Sequence, residues 1–208
     1  ACYNVIAKAN LVIEKTTTGL GLAGNTETQK AQWNRIEGEA RFIRSLAYMQ
    51  LATLYRNVPI ITEFFKDFEK IFNISNAPAD KMREQEIKVY EFVVNDLKKA
   101  TEQLPTSSVR GRINKISASA FLGKAYLLMA SIEKHREQAG SGETFYTSAL
   151  EALNTVINSN AYSLKTYFPD NFILDKQYSG GNELIFTIEF NAADKNNFNI
   201  FGVNSGFF

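Results

Sequence analysis

GEARFIRSLAYMQLATLYRNVP, residues 38–59, has the period of a helix but is apolar on more than one side. Ile36, Ala40, Ile43, Ala47, Leu51 and Leu54 make one stripe at three- and four-residue spacing. Phe42, Leu46 and Met49 make a second, and Ser45, Tyr48, Ala52 and Tyr55 a third. A helix lying on a surface needs a single apolar stripe, so this pattern predicts an inner helix clasped on both flanks in a layered helical array. The charges inside it fall at helical spacing. Glu37 lies one turn before Arg41 and Arg35 one turn before Glu39, which gives each a partner within reach, as a mostly buried position requires.

Upstream, Tyr3 to Lys15 carries Val5, Ile6, Ala9, Val12 and Ile13, an amphipathic helix that begins almost at the first residue. The Gly- and Thr-rich stretch Thr16 to Asn25 reads as a loop. Thr26 with Gln29 then offers a capping box that opens the long helix, and Asn57 and Pro59 close it. Ile60 to Pro78 reads as a long irregular connection holding Phe64, Phe65, Phe68 and Phe72. A helical period resumes from Ala79 to Leu104 through Ile87, Tyr90, Val94 and Leu97, and Pro105 stops it. Ala118, Leu122, Ala125 and Met129 mark a fourth helix in which Ala118, Ala120, Gly123 and Ala125 permit close approach. A fifth, after Gly140-Ser141-Gly142, carries Tyr146, Ala149, Leu150, Leu153, Val156 and Ile157. Helix, short loop, helix, with alanines and tyrosines at the crossings, is similar to the tetratricopeptide pattern, at irregular spacing. After Asn160 the character changes: Leu184, Phe186, Ile188 and Phe190 alternate behind a Gly180-Gly181 turn, which predicts a strand. The expected organisation is a helical region over 1–160 with a long connection at about 56–78, then an irregular portion with some β character over 161–208.

The 208 residues hold 23 Lys plus Arg against 22 Asp plus Glu, a net charge of +1, and no basic run, so no field draws the chain to nucleic acid. One cysteine, Cys2, excludes an internal disulfide and a thiolate metal cluster. No apolar stretch approaches the roughly 20 residues that span a bilayer. Sixteen Phe, nine Tyr and the asparagines crowding the last third suit a sugar-like ligand, although Phe in a helical array is usually core.

Five stretches in order carry a family resemblance: YNVIAKANLVIE, GEARFIRSLAYMQLATLYRNVPII, EFVVNDLKKATEQLP, RGRINKISASAFLGKAYLLMA, and ALEALNTVINSNAYSL leading into ELIFTIEF. Together they resemble the SusD/RagB family of nutrient-binding outer-membrane lipoproteins of Bacteroidetes over nearly the whole chain. Gly38, Glu39, Ala40 and Arg41 form its hallmark motif. Two departures are visible, Ser45 in place of the usual Ala and Arg56 where a Gly commonly precedes the Val-Pro step. The resemblance implies tetratricopeptide-like helix pairs plus an irregular half that supplies much of the ligand surface. It also implies a non-enzymatic protein that captures glycans, or in some members peptides, and sits as a lid on a TonB-dependent, SusC-like transporter. On the same ground the chain is expected to lack both ends of such a protein, its lipid anchor lying upstream, so that Cys2 is not the lipidated cysteine. No cofactor or metal is implied.

Ligand candidates are Tyr3 and Asn4, near a part of the family that can face ligand, and Trp33, the single tryptophan. Stacking on a pyranose needs a flat aromatic beside amide hydrogen-bonders, although an aromatic on a helix more often plugs the core. Rival chemistries lack their context. Gly19-Leu20-Gly21-Leu22-Ala23-Gly24 matches a dinucleotide fingerprint but has no strand before it and no helix opening on it. His135, the lone histidine, sits among charges at a helix end and reads as solvated, which leaves no histidine triad. A helical glycosidase needs two acids flanking a cleft, and Asp96 with Glu102, or Asp170 with Asp175, read equally well as exposed helix faces and turns. A generic helical scaffold binding a peptide shares the array but neither the terminal strand nor the order of the five stretches.

Overall fold

In the computed structural model the described residues are 2–21, 24–64, 79–109, 111–134, 141–173, 176 and 183–188. They form five helices: α1 (Cys2–Leu20), α2 (Glu27–Tyr55), α3 (Ala79–Gln103), α4 (Lys115–Lys134) and α5 (Ser141–Asn158), followed by a 3-10 turn at Phe168–Phe172. Each helix packs on its neighbour in sequence, in the order α1, α2, α3, α4, α5. Neighbours run antiparallel. Gly19, late in α1, meets Trp33, early in α2; Gly38 of α2 meets Gln103 and Leu104 at the end of α3; Gly142 of α5 meets Ala130 near the end of α4.

α2 is held on both flanks, as its stripes predict. Phe42, Tyr48 and Ala52 are fully buried, and Val89, Val93, Leu97 and Ala100 of α3 are buried with them in one core. Three residues of the stripes depart from the expectation, with Ile36 39%, Leu54 66% and Tyr55 68% exposed. Thr26 and Gln29 make the expected capping box: the Thr26 hydroxyl accepts from the Gln29 amide at 3.2 Å, and the Gln29 side chain accepts from the Thr26 N–H at 2.9 Å. Close approach depends on glycine at the helix crossings. A Cβ on Gly38 would stand 3.1 Å from the Gln103 Cβ, and one on Gly123 would stand 2.6 Å from Leu153 Cγ.

Two expectations are corrected. α1 continues through the threonines to Leu20: the hydroxyls of Thr16, Thr17 and Thr18 are satisfied within the helix by the carbonyls of Val12 or Ile13, Ile13 and Glu14, and Thr16 is buried. Residues 183–188 hold no strand, and no strand occurs among the described residues. This segment docks through its side chain instead. Phe186 meets the rings of Phe42 at 5.3 Å and Phe121 at 6.3 Å, both edge-to-face, while the Ser117 hydroxyl donates to the Ile185 carbonyl at 2.9 Å. Phe190, His135, Asp175 and the phenylalanines 65, 68 and 72 lie outside the described residues.

Candidate functional site

The polar centre of the molecule lies between α1, α2 and α3. Arg41 donates from Nε to Glu37 at 2.8 Å and from Nη1 to Asp96 at 2.9 Å. Arg44 donates from Nε and Nη2 to the two Asp96 oxygens at 2.7 and 2.8 Å, and from Nη1 to the Asn10 carbonyl oxygen at 2.7 Å. Asp96, Arg44, Asn10 and Glu37 are all buried. Two cations and two anions balance, the guanidinium of Arg44 also lies over the Phe92 ring at 4.9 Å, and every link is a charge-assisted hydrogen bond. The Glu37–Arg41 and Arg35–Glu39 pairs read from spacing are present, the latter at 3.2 Å. Asp96 is the exception to its sequence reading, because it is a buried hub with both oxygens committed to guanidinium groups, while Glu102 on the same helix is exposed. Both Asp96 oxygens are thus taken up by guanidinium groups inside the helical stack.

This centre positions the chain that leaves α2. Asn10 donates to the carbonyls of Ile61 and Glu63 at 3.0 and 2.9 Å, and Tyr48 accepts from the Ile61 N–H at 2.7 Å while donating to its carbonyl at 3.1 Å. Burial pushes the Tyr48 phenol up to about 12. Farther out, Arg112 grips Glu39 at 2.6 and 3.1 Å, which raises the guanidinium above its ordinary value and ties the loop before α4 to α2.

Of the three ligand candidates, Asn4 is exposed. Tyr3 is half-buried and donates to the Pro59 carbonyl at 3.1 Å, with burial raising its phenol pKa. Trp33 is half-buried over Gly19, where an added Cβ would stand 2.8 Å from its ring. Tyr3 and Gly19 are separated by about 24 Å of helix at 1.5 Å per residue, so Tyr3 and Asn4 share one neighbourhood and Trp33 another. A third aromatic group lies on the 3-10 turn, which the Glu183 carboxylate frames by accepting from the Lys165 N–H at 2.8 Å and from Asn171 Nδ2 at 3.0 Å. These bonds hold the Glu183 pKa below the usual carboxylate value, the Asn171 bond contributing most. Asp170 of the same turn stands 3.5 Å from the Lys176 ammonium. Among the described residues no group of three or more His, Cys, Asp or Glu is placed to hold a metal, and no helix is long and apolar enough to cross a membrane.

Sequence reasoning passes over Asn10 and reads Asp96 as exposed, although each carries a signal of burial. Asn10 sits between Ile6 and Ile13 on the buried side of α1, and Asp96 between Val93 and Leu97 on that of α3. A polar residue on an apolar stripe demands a partner.

Antiparallel helix pairs stacked in sequence order define an α-α array of tetratricopeptide type. The chain belongs to the SusD-like family: the family model described as starch-binding, associating with outer membrane, matches residues 1–127. A SusD-like protein of Bacteroides ovatus is 30% identical over 129 residues, 60% of this chain and 21% of that protein. One of Formosa agariphila is 27% identical over 203 residues, 94% of this chain and 34% of that protein. The chain thus spans about a third or less of the length of these relatives. Among solved structures, a SusD-like protein of Bacteroides fragilis superposes with a TM-score of 0.66 at 21% identity, over 91% of this chain and 32% of that one. A structure described as a complex with xylogluco-oligosaccharide matches at 25% identity and TM-score 0.61, over 82% of this chain and 31% of that one. A laminarin-binding SusD-like protein matches at 24% and 0.56, over 82% and 32%.

Proposed function

We propose that this chain is the helical part of a glycan-binding protein of the cell surface that captures an oligosaccharide and passes it to a TonB-dependent, SusC-like outer-membrane transporter, from a lipid anchor upstream of residue 1. The family match over residues 1–127 carries the reading, and the xylogluco-oligosaccharide and laminarin partners of two structural relatives support a glycan over a peptide. The protein binds and does not cleave. The commitment of both Asp96 oxygens to arginines supports this, since it takes Asp96 out of the pair it would form with Glu102.

Asn4 beside Tyr3 forms one contact for the ligand, the amide reading hydroxyls next to the aromatic ring, and Trp33 forms another. Titration calorimetry of the protein with xylogluco-, laminari- and malto-oligosaccharides, and with a mixed peptide pool, tests the ligand class. Saturable binding to a glycan with no shortening of the sugar is the expected result, and binding to the peptides alone overturns it. Asn4→Ala should weaken glycan binding about fivefold, the worth of about one hydrogen bond. Unchanged affinity removes that contact from the site. Isolation from cells together with a large β-barrel transporter tests the partner, and isolation without one overturns that part of the proposal.

A further inference from the structure

α2 ends on a conformation that its last residue does not favour. Arg56 stands at φ 59° and ψ −82°, on the positive-φ side that glycine enters freely and a longer side chain enters at a cost. The chain on either side over-determines it. The Arg56 N–H donates to the Ala52 carbonyl at 2.8 Å, Val58 is buried, and Tyr3, Tyr48 and Asn10 donate to the carbonyls of Pro59, Ile61 and Glu63. The side chain does not explain the strain from within the fold, since the Arg56 guanidinium is exposed and joins no ion pair or hydrogen bond among the described residues. Strain held in place where folding has no use for it marks a functional position.

The surroundings of Arg56 define the chemistry. Cys2 Sγ lies 3.9 Å from Gln50 Oε1, and the Tyr3 hydroxyl donates to the Pro59 carbonyl at 3.1 Å, so the first turn of α1 lies against the end of α2. Pro59 is three residues past Arg56, at most about 10 Å of chain. Asn4 and Tyr55 are exposed at this same end of the array. Residues 1–13 and 40–62 hold Lys8, Arg41, Arg44 and Arg56 and not one Asp or Glu. Arg41 and Arg44 are committed to Glu37 and Asp96, and on α3, the other neighbour of α2, Glu84 is paired with Lys88 at 2.9 Å. Arg56 is thus an uncompensated cation on a rigid backbone, with an exposed tyrosine ring and an exposed amide at the same end. The planar fork of a guanidinium matches an oxyanion, a tyrosine ring matches the apolar face of a pyranose, and an amide matches a hydroxyl.

Building on the glycan-binding reading, we infer that Arg56 is a specificity residue for an anionic oligosaccharide, its guanidinium pairing with a uronate carboxylate or a sulfate ester of the sugar that Asn4 contacts. The charge of the ligand is then read at the end of α2, by a residue that the helix would cap better without.

Titration calorimetry with oligosaccharides of equal length tests this: an oligogalacturonate for the carboxylate, a sulfated galactan oligosaccharide for the sulfate ester, and a laminari-oligosaccharide for the uncharged case. One of the charged sugars should bind at least about tenfold tighter than the neutral one, the worth of a charge-assisted hydrogen bond, and the sugar that does so names the anion. Arg56→Gln removes the charge, keeps a side chain on the strained backbone and should erase the advantage, while Arg56→Lys should keep part of it. Lys124→Gln, the same loss of charge on α4, should leave it intact. Arg56→Gly separates binding from folding: it should raise the melting midpoint and still erase the advantage, whereas a residue serving the fold alone would shift affinity for charged and neutral sugars alike. A laminari-oligosaccharide bound as tightly as both charged sugars overturns the inference and leaves the glycan reading standing. So does an advantage that survives Arg56→Gln, or one that falls equally in Lys124→Gln. Binding to none of the three sugars, or to peptides alone, overturns both.

Discussion

At the scale of single residues, the centre of the molecule is an electrostatic balance whose members differ widely in worth. Asp96 satisfies Arg41 and Arg44 together, so Asp96→Ala leaves two guanidinium groups without their shared anion inside the protein. Such a loss costs about 3–5 kcal/mol. Glu39→Ala breaks contacts with Arg35 and Arg112, whose side chains are 41% and 46% exposed, and should cost about 1 kcal/mol or less. Urea denaturation of the two variants checks the ranking, and equal losses would show that the buried hub is not the stronger site. Tyr48 gives a pH dependence of defined sign. Its folded pKa lies above the unfolded value of 10.0, so the folded state holds the proton more tightly, and its contribution is complete below about pH 10 and lost as pH climbs toward about 12. Tyr3 and Tyr90, also raised by burial, act in the same direction. Stability measured at about pH 8 and about pH 11 should therefore fall more in the parent protein than in Tyr48→Phe, by up to about 1.4 kcal/mol per pH unit for each phenol.

At the scale of elements, the helices follow from local rules and their ends from particular residues. Periodicity located all five helices because each buries a stripe that repeats at helical spacing. Threonines followed by glycines suggest a loop at the end of α1, whereas the hydroxyls here bond back to the helix and Thr16 is buried. The end of α2 is instructive in the other direction. Arg56 caps it at φ 59° and ψ −82°, a conformation that glycine adopts freely and an arginine does not. Arg56→Gly should relieve that strain and stabilise the protein by about 1 kcal/mol, net of the added freedom of glycine in the unfolded chain. A thermal midpoint that stays level or drops would show that the capping conformation carries no strain.

At the scale of the whole molecule, the helical stack is finished by residues far along the chain. Phe186 joins Phe42 of α2 and Phe121 of α4 in a three-ring cluster, and Tyr162 and Ser117 both hydrogen-bond the Ile185 carbonyl, at 3.3 and 2.9 Å. The segment after residue 160 thus supports the array as well as following it. Phe186→Ala should cost about 2 kcal/mol, less than a fully buried phenylalanine because the side chain is partly exposed. Ending the chain at residue 160 should cost at least as much, read as the urea midpoint followed by circular dichroism at 222 nm. A truncated chain as stable as the parent would show that the helices need no such support.

The alternation of Leu184, Phe186 and Ile188 was legible, but it predicted a strand, because alternation reports which side chains share a face and says nothing of whether a backbone partner is at hand. The candidate site was legible in part. Sequence spacing paired Glu37 with Arg41 and Arg35 with Glu39, since those contacts lie within one turn of one helix. By itself the sequence determined the helical periods, the capping box at Thr26, the inner position of α2 and the family, all of which rest on neighbours along the chain. Only the tertiary structure decided that Asp96 meets Arg41 and Arg44 across separations of 55 and 52 residues, that Asn10 and Tyr48 hold Ile61, and that Phe186 closes the core. The reason is physical: helix formation is local, whereas a buried charge or ring finds its partner only when packing brings distant segments together.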